Sequence, residues 1–200
     1  RVRSSAASDV YKRQLERTVA DLEGTQAAYC CGSGMAALAG VCLGLLSAGD
    51  DVLATTDLYG GTPALLTDLA RFGVNIRYVD SRDPAAFVFK PNTRLAVVET
   101  LANPTLRICP LAEVASRAHA AGALLVVDST TPTPFLNRPI EHGADLVVHS
   151  ATKFLSGHHD VTAGIVAGRR ELIEPIRACG VRFGAMLAPL DAWLTVRGIK

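Results

Sequence analysis

The chain has 200 residues, 49% apolar and 20% charged, with a formal net charge of +1. That length suits one full-sized α/β domain or most of one, and the near-neutral balance removes the electrostatic reason to expect nucleic acid or an anionic membrane as a partner. No apolar stretch approaches a membrane span without interruption, no signal peptide is evident, and five cysteines without framework spacing read as buried, reduced thiols of a cytoplasmic protein.

In chain order, Leu15, Val19 and Leu22 share one helical face, with Gly24 as a natural stop. Residues 27–31 predict a short strand and 33–47 a largely apolar helix. Strand 51–55, helix 62–72 and strand 75–80 follow. Asp83-Pro84 opens a short helix, and 95–100 is another strand. Helix 111–121 leads into strand 124–128, and 145–149 is a further buried strand. Residues 163–167 predict one more strand, with helices near 170–179 and 187–197. Continuous apolar strands alternating with helices predict an α/β fold, a three-layer arrangement with a mainly parallel sheet covered on both faces. No linker or repeat divides it. Such sheets bind ligands beyond the carboxyl ends of their strands. The unusual polar residues stand there: Ser33, Tyr59, Asn103, Asp128, Ser150 and Lys153.

Lys153 is one of only four lysines, with Lys12, Lys90 and Lys200, among twenty basic residues. Arginine cannot replace lysine as an amine nucleophile, because its guanidinium stays protonated; a desolvated lysine can form a Schiff base with an aldehyde. The bland reading is a loop lysine held by a surface carboxylate. Gly32-Ser33-Gly34-Met35-Ala36-Ala37, between a strand and a helix, fits the dinucleotide fingerprint, whose third glycine is sometimes alanine. Its more general physics is a helix start whose free N–H groups attract a phosphate, so by itself it does not separate a nicotinamide cofactor from another phosphate-bearing one. Asp128 ends a buried strand and needs a partner, either a loop N–H, a core arginine or the protonated ring nitrogen of a heteroaromatic cofactor. Tyr59 is either a loop anchor or a ring-stacking residue that moves protons. Asn103, before Pro104, is either a turn former or an amide donor to a ring oxygen. His149, His158 and His159 lack the spacing of a metal motif, and no metal is expected. A phosphate-binding helix start, an acid for a ring nitrogen and a Schiff-base lysine are together the needs of pyridoxal 5'-phosphate.

Five segments in order then resemble the Cys/Met-metabolism (trans-sulfuration) family of pyridoxal-phosphate enzymes, which includes cystathionine synthases and lyases, methionine γ-lyases and homoserine-ester sulfhydrylases. They are Ser33-Gly34-Met35-Ala36-Ala37, Asp57-Leu58-Tyr59-Gly60-Gly61-Thr62, Glu99-Thr100-Leu101-Ala102-Asn103-Pro104, Val127-Asp128-Ser129-Thr130 and His149-Ser150-Ala151-Thr152-Lys153-Phe154-Leu155-Ser156-Gly157-His158. The resemblance implies the large domain of a fold-type I enzyme. It implies that Lys153 binds the cofactor aldehyde, and that Gly34 and Met35 amides with Ser150 and Thr152 hydroxyls hold the phosphate. It further implies that Asp128 pairs with the ring nitrogen, Tyr59 stacks on the ring and Asn103 approaches the ring hydroxyl. The implied reaction is elimination or replacement at Cβ or Cγ of an amino-acid substrate. Lys153, freed by the substrate amine, would remove the α-proton in a cytoplasmic homo-oligomer, a dimer of dimers. A nicotinamide-dependent oxidoreductase would leave Lys153 and Asp128 unexplained.

Three departures shape the expectations. Tyr11-Lys12-Arg13 mimics the family's Tyr-x-Arg element but stands too close to Leu22-Glu23-Gly24, and no Asn-Pro-Thr follows. Asp9-Val10-Tyr11-Lys12-Arg13-Gln14 resembles a translated sequencing adapter, so residues 1–14 are expected to be a non-native leader and 15–200 an incomplete cofactor-binding large domain. The smaller domain with its substrate-carboxylate arginine is expected to be missing, and a truncated, non-catalytic fragment is an alternative outcome. Gly61 occupies a position where methionine γ-lyases often carry cysteine, which favours cystathionine or homoserine-ester chemistry.

Overall fold

The computed structural model describes residues 6–200, with side chains described from Val10 onward. Of the expected leader, residues 1–5 lie outside the described residues, and the rest belongs to helix α1, Ala6–Glu23. Leu15 and Val19 on that helix are fully buried, and Gly24 ends it at φ +71°, a conformation that glycine adopts without strain.

Seven strands follow: β1 Ala27–Cys31, β2 Asp51–Thr55, β3 Asn75–Val79, β4 Thr93–Glu99, β5 Leu124–Asp128, β6 Leu146–Ser150 and β7 Gly164–Gly168. They form one sheet in the order β1-β7-β6-β5-β4-β2-β3. The five strands from β3 to β6 run parallel, whereas β7 is antiparallel to both β6 and β1. The reversal follows from the connection: residues 151–163 form a tight turn rather than a crossover helix, so the chain returns beside β6 in the opposite direction. The mainly parallel sheet expected from the sequence is therefore present, with an antiparallel margin.

Alternation along the strands sorts the core. Val97, Val126 and Val148 pack with helices α2 (Gly34–Leu45), α3 (Gly61–Ala70) and α6 (Arg170–Arg182) on one face. Val98, Val127 and Val147 pack with α4 (Leu111–Ala120) on the other, where α1 and α7 (Pro189–Ile199) also lie. Helices on both faces complete the three layers. The four-residue helix α5 (Thr133–Leu136) and a 3-10 turn at Pro139–His142 were not foreseen in the sequence. Pro132, Pro134 and Pro139 limit this segment to short pieces. Among the described residues no helix is long and apolar enough to cross a membrane. All five cysteines are free and buried, and burial pushes the thiols of Cys31, Cys42 and Cys109 up to about 12.

Two features fix how the layers meet. On the α2 face, glycines remove the side chains that would hold the helix off the sheet. An added Cβ at Gly164 would lie 1.8 Å from the Ser33 carbonyl oxygen, and one at Gly34 would lie 2.7 Å from Ser150 Cβ. On the opposite face, His149 Nε2 and Glu23 Oε1 stand 2.5 Å apart with both side chains fully buried, joining β6 to the end of α1. The remaining atoms of the pair, Glu23 Oε2 and His149 Nδ1, have no hydrogen-bond partner among the described residues.

Two outcomes follow for thermal unfolding of the 200-residue chain followed by circular dichroism. Gly164→Ala drives a methyl group into backbone and is expected to destabilise by about 3 kcal/mol or more, lowering Tm by roughly 6–12 °C. Glu23→Leu leaves a buried histidine unpaired and is expected to cost about 3–5 kcal/mol, while the double variant Glu23→Leu/His149→Leu recovers part of the loss. An additive double variant would show that the pair is not coupled.

Candidate active site at the carboxyl edge of the sheet

The strand order reverses between β2 and β4. The chain leaves β2 for α3 on one face and leaves β4 for α4 on the other, so a crevice opens where the two loops part. The sequence-predicted site residues stand along this edge.

Helix α2 begins there. Its cap, Ser33, accepts the Ala36 N–H on Oγ at 3.0 Å and the Ala37 N–H on its carbonyl at 3.0 Å. The amides of Gly34 and Met35, ahead of these two, have no intrahelical acceptor, and the helix dipole adds partial positive charge at the same end. Ser150, the last residue of β6, lies directly against Gly34. Its own N–H donates to Thr130 Oγ1 at 2.8 Å, and the Thr130 N–H donates to Asp128 Oδ1 at 2.9 Å. One short chain of hydrogen bonds thus joins the ends of β5 and β6 beside the helix start.

Lys153 follows Ser150 in a tight turn, its N–H donating to the Ser150 carbonyl at 3.1 Å. The side chain is exposed, and no hydrogen bond or ion pair among the described residues holds its amine. The turn is braced from below: Ser156 is buried, and an added Cβ at Gly198 of α7 would lie 2.0 Å from its carbonyl oxygen. Thr152 stands at the base of the turn. Its hydroxyl donates to the Ala163 carbonyl at 3.2 Å and accepts the Ala163 N–H at 3.0 Å, so it ties the turn to β7 rather than standing open. His149 faces away into the core with Glu23, and His158 Nδ1 lies 2.6 Å from the Ser156 carbonyl.

Two carboxylates occupy the middle of the edge. Glu99 and Asp128 are register partners at the ends of β4 and β5, on the α2 face of the sheet. Burial pushes the Asp128 carboxyl above its usual range, opposed by the hydrogen bonds from Thr130 and by nearby His149. Asp128 forms no ion pair among the described residues. Glu99 was not singled out from the sequence. Its Oε1 accepts the Tyr59 N–H at 2.5 Å and its Oε2 accepts the Asn103 N–H at 3.3 Å. The side chains of Tyr59 and Asn103 are both exposed. A second tie, also unforeseen, runs between the same loops: Arg107 Nη1 donates to both Asp57 oxygens at 2.9 and 3.1 Å, and Ser81 donates to Asp57 at 2.9 Å. Neither tie has a local pattern in the sequence, since Glu99 lies 40 positions from Tyr59 and Arg107 lies 50 from Asp57. Gly61 lets the Tyr59 ring approach the Met35 sulfur. An added Cβ there would lie 2.8 Å from the ring and 2.9 Å from Sδ.

Among the described residues the edge therefore brings together a helix start with open amides, an unpaired amine, a half-buried carboxyl lacking a cation and an exposed aromatic ring. A sequence profile of the Cys/Met metabolism PLP-dependent enzymes matches residues 6–200. An L-methionine gamma-lyase of Pseudomonas putida is 48% identical over 93% of this chain and 48% of its own length. A cystathionine gamma-lyase of Bacillus subtilis is 42% identical over 98% of the chain and 52% of its own length. The chain spans about half the length of the curated relatives it matches. Apo CalE6, a methionine gamma lyase from Micromonospora echinospora, superposes with a TM-score of 0.90 at 37% identity, over 94% of this chain and 52% of that one. These identities do not separate methionine from cystathionine cleavage. The chain belongs to the Cys/Met metabolism family of pyridoxal-phosphate-dependent enzymes, and its sheet and flanking helices are the fold of a fold-type I member.

Proposed function

We propose that the whole protein is a pyridoxal-phosphate-dependent lyase or transferase of sulfur amino acids or homoserine esters, acting at Cβ or Cγ, with its cofactor at this edge. The observation that carries the reading is the contact of Gly34 with Ser150. It sets an anion-attracting helix start beside the strand end from which Lys153 follows three residues later.

The residues present fit the cofactor. The Gly34 and Met35 amides and the Ser150 hydroxyl would hold its phosphate. The Thr152 hydroxyl joins them only by giving up its bonds to Ala163. Asp128, half-buried and without a cation among the described residues, would gain one in a protonated ring nitrogen. The exposed Tyr59 ring would stack on one face of the cofactor, and Asn103 would approach the ring hydroxyl. When bound, pyridoxal phosphate supplies an aldehyde carbon that condenses with amines and a ring that takes up the electron pair released at the substrate α-carbon. Lys153 would hold that carbon in the resting site. Once displaced by the substrate amine, its free base would take the α-proton, with the Tyr59 hydroxyl as a second proton carrier. Gly61 supports cystathionine-type substrates, since a larger residue there would displace both Tyr59 and Met35.

Two further parts of the reading rest on other observations. Exposed Leu106, Ile108, Phe135, Leu136 and Phe154 all follow the carboxyl ends of β4, β5 and β6, and this apolar edge supports a homo-oligomer, a dimer of dimers. The free, buried thiols support a reducing compartment such as the cytoplasm.

Mixing the chain with pyridoxal phosphate and reducing with borohydride is expected to leave a pyridoxyl mass on Lys153, absent from Lys153→Ala. The whole protein is expected to release an α-keto acid from cystathionine, with Lys153→Ala inactive. Label on another residue, or turnover by Lys153→Ala, would overturn the assignment. For the assembly, sedimentation velocity of the whole protein at micromolar concentration is expected to give a species larger than a monomer, and a monomer alone would remove that part.

A further inference from the structure

We infer that Glu99 is a positioning residue that ties the Tyr59 loop to the Asn103 turn across the crevice, so that one carboxyl group sets the spacing of the two walls that receive the cofactor ring. The inference rests on the cofactor reading above.

The geometry is specific to Glu99. Its two oxygens accept from two backbone amides that belong to different loops, one following β2 and the other following β4. These are the two strands at which the sheet order reverses, so their loops diverge to opposite faces and nothing in the sheet hydrogen bonding holds them together beyond the strand ends. Glu99 itself ends β4 and is 7% exposed. A buried carboxyl with an oxygen for each loop can hold both at once. A backbone carbonyl at this place would reach only one. The bonds are made through the amides, which leaves the side chains of Tyr59 and Asn103 directed outward and exposed. The Asp57–Arg107 pair also joins the same two loops, so the loops stay near one another without Glu99 while the amides that Glu99 holds are released.

The charges around Glu99 make the tie sensitive to pH. They are Asp128 on β5, Asp57 before Tyr59, and Arg107 paired with Asp57. Burial first, with Asp128 and Asp57 adding to it, pushes the Glu99 carboxyl up to about 7 from 4.5, against the Tyr59 and Asn103 amides that pull it down. Because the folded value lies above the unfolded one, the stability contributed by Glu99 is full below pH 4.5 and is lost as pH rises through about 7. Ionisation therefore costs stability while strengthening both amide bonds, since a carboxylate accepts on two oxygens and an acid accepts well on one.

Three measurements on the 200-residue chain test this. In amide exchange followed by NMR, Glu99→Ala is expected to speed exchange at Tyr59 and at Asn103 at least about tenfold, with the central strands unchanged. Glu99→Gln, which keeps one acceptor and places an NH2 against the other loop, is expected to release only one of the two. The Tm of Glu99→Gln relative to the unsubstituted chain is expected to rise between pH 4.5 and about 7 and to level off above. The apparent Kd for pyridoxal phosphate is expected to rise about tenfold or more in Glu99→Ala, as loss of two hydrogen bonds that order the walls would give. Exchange unchanged at both amides, or exchange accelerated equally throughout the chain, would overturn the tie, and a Tm difference flat across that pH range would overturn its pH dependence. If the unsubstituted chain itself takes up no pyridoxal phosphate, the cofactor reading falls, and the exchange data still decide whether Glu99 holds the two loops.

Discussion

The contact between the first turn of α2 and the ends of β6 and β7 is the constraint on which the rest of the site depends. A helix start ordinarily stands off a sheet by the thickness of its side chains. Here Gly34 and Gly164 remove that thickness, and the Ser33 carbonyl sits where a Cβ at Gly164 would be. The positive end of the helix, with two open amides, therefore lies against Ser150 and at the root of the turn that carries Lys153. The return of β7 antiparallel to β6 belongs to the same arrangement, because it brings Gly164 between Cys31 and Ser150 in register.

Charge is distributed on the two faces of the sheet for different ends. On the α1 face, Glu23 and His149 are fully buried against each other, and their coupling pins the helix to β6 directly behind Ser150. On the α2 face, Asp128 and Glu99 lie side by side at strand ends. Asp128 has no cation among the described residues, while Glu99 has two amide donors. Burial pushes both carboxyls above their usual range, Glu99 to about 7 with Asp128 adding to it. The same edge thus combines a group awaiting a positive partner with one that organises the surrounding loops.

Much of this was legible in the chain. Runs such as Leu124–Asp128 alternate with apolar helices, and a parallel sheet covered on both faces is the way to bury both sides of such strands. Ser33, Tyr59, Asn103, Asp128, Ser150 and Lys153 each follow a strand, so their common edge could be read from order alone. Glu99 opens the segment Glu99–Pro104, yet an acid at a strand end has no meaning until its two partners, four and forty residues away, are known. The resemblance gave the Thr152 hydroxyl to the phosphate, and the fold engages it with Ala163 across the turn. Glu23 and His149, 126 positions apart, carried no pattern that could pair them.

By itself the sequence determined which elements form and which chemistry-bearing side chains stand at their ends, because hydrophobic period, glycine stops and residue type are local properties. Tertiary structure alone decided the distances between those ends: the helix start against Ser150, the tie from Glu99 to two loops, and the Glu23–His149 contact behind β6. These depend on packing between segments remote in the chain, where the absence of a single Cβ or the reach of one carboxyl group fixes the spacing.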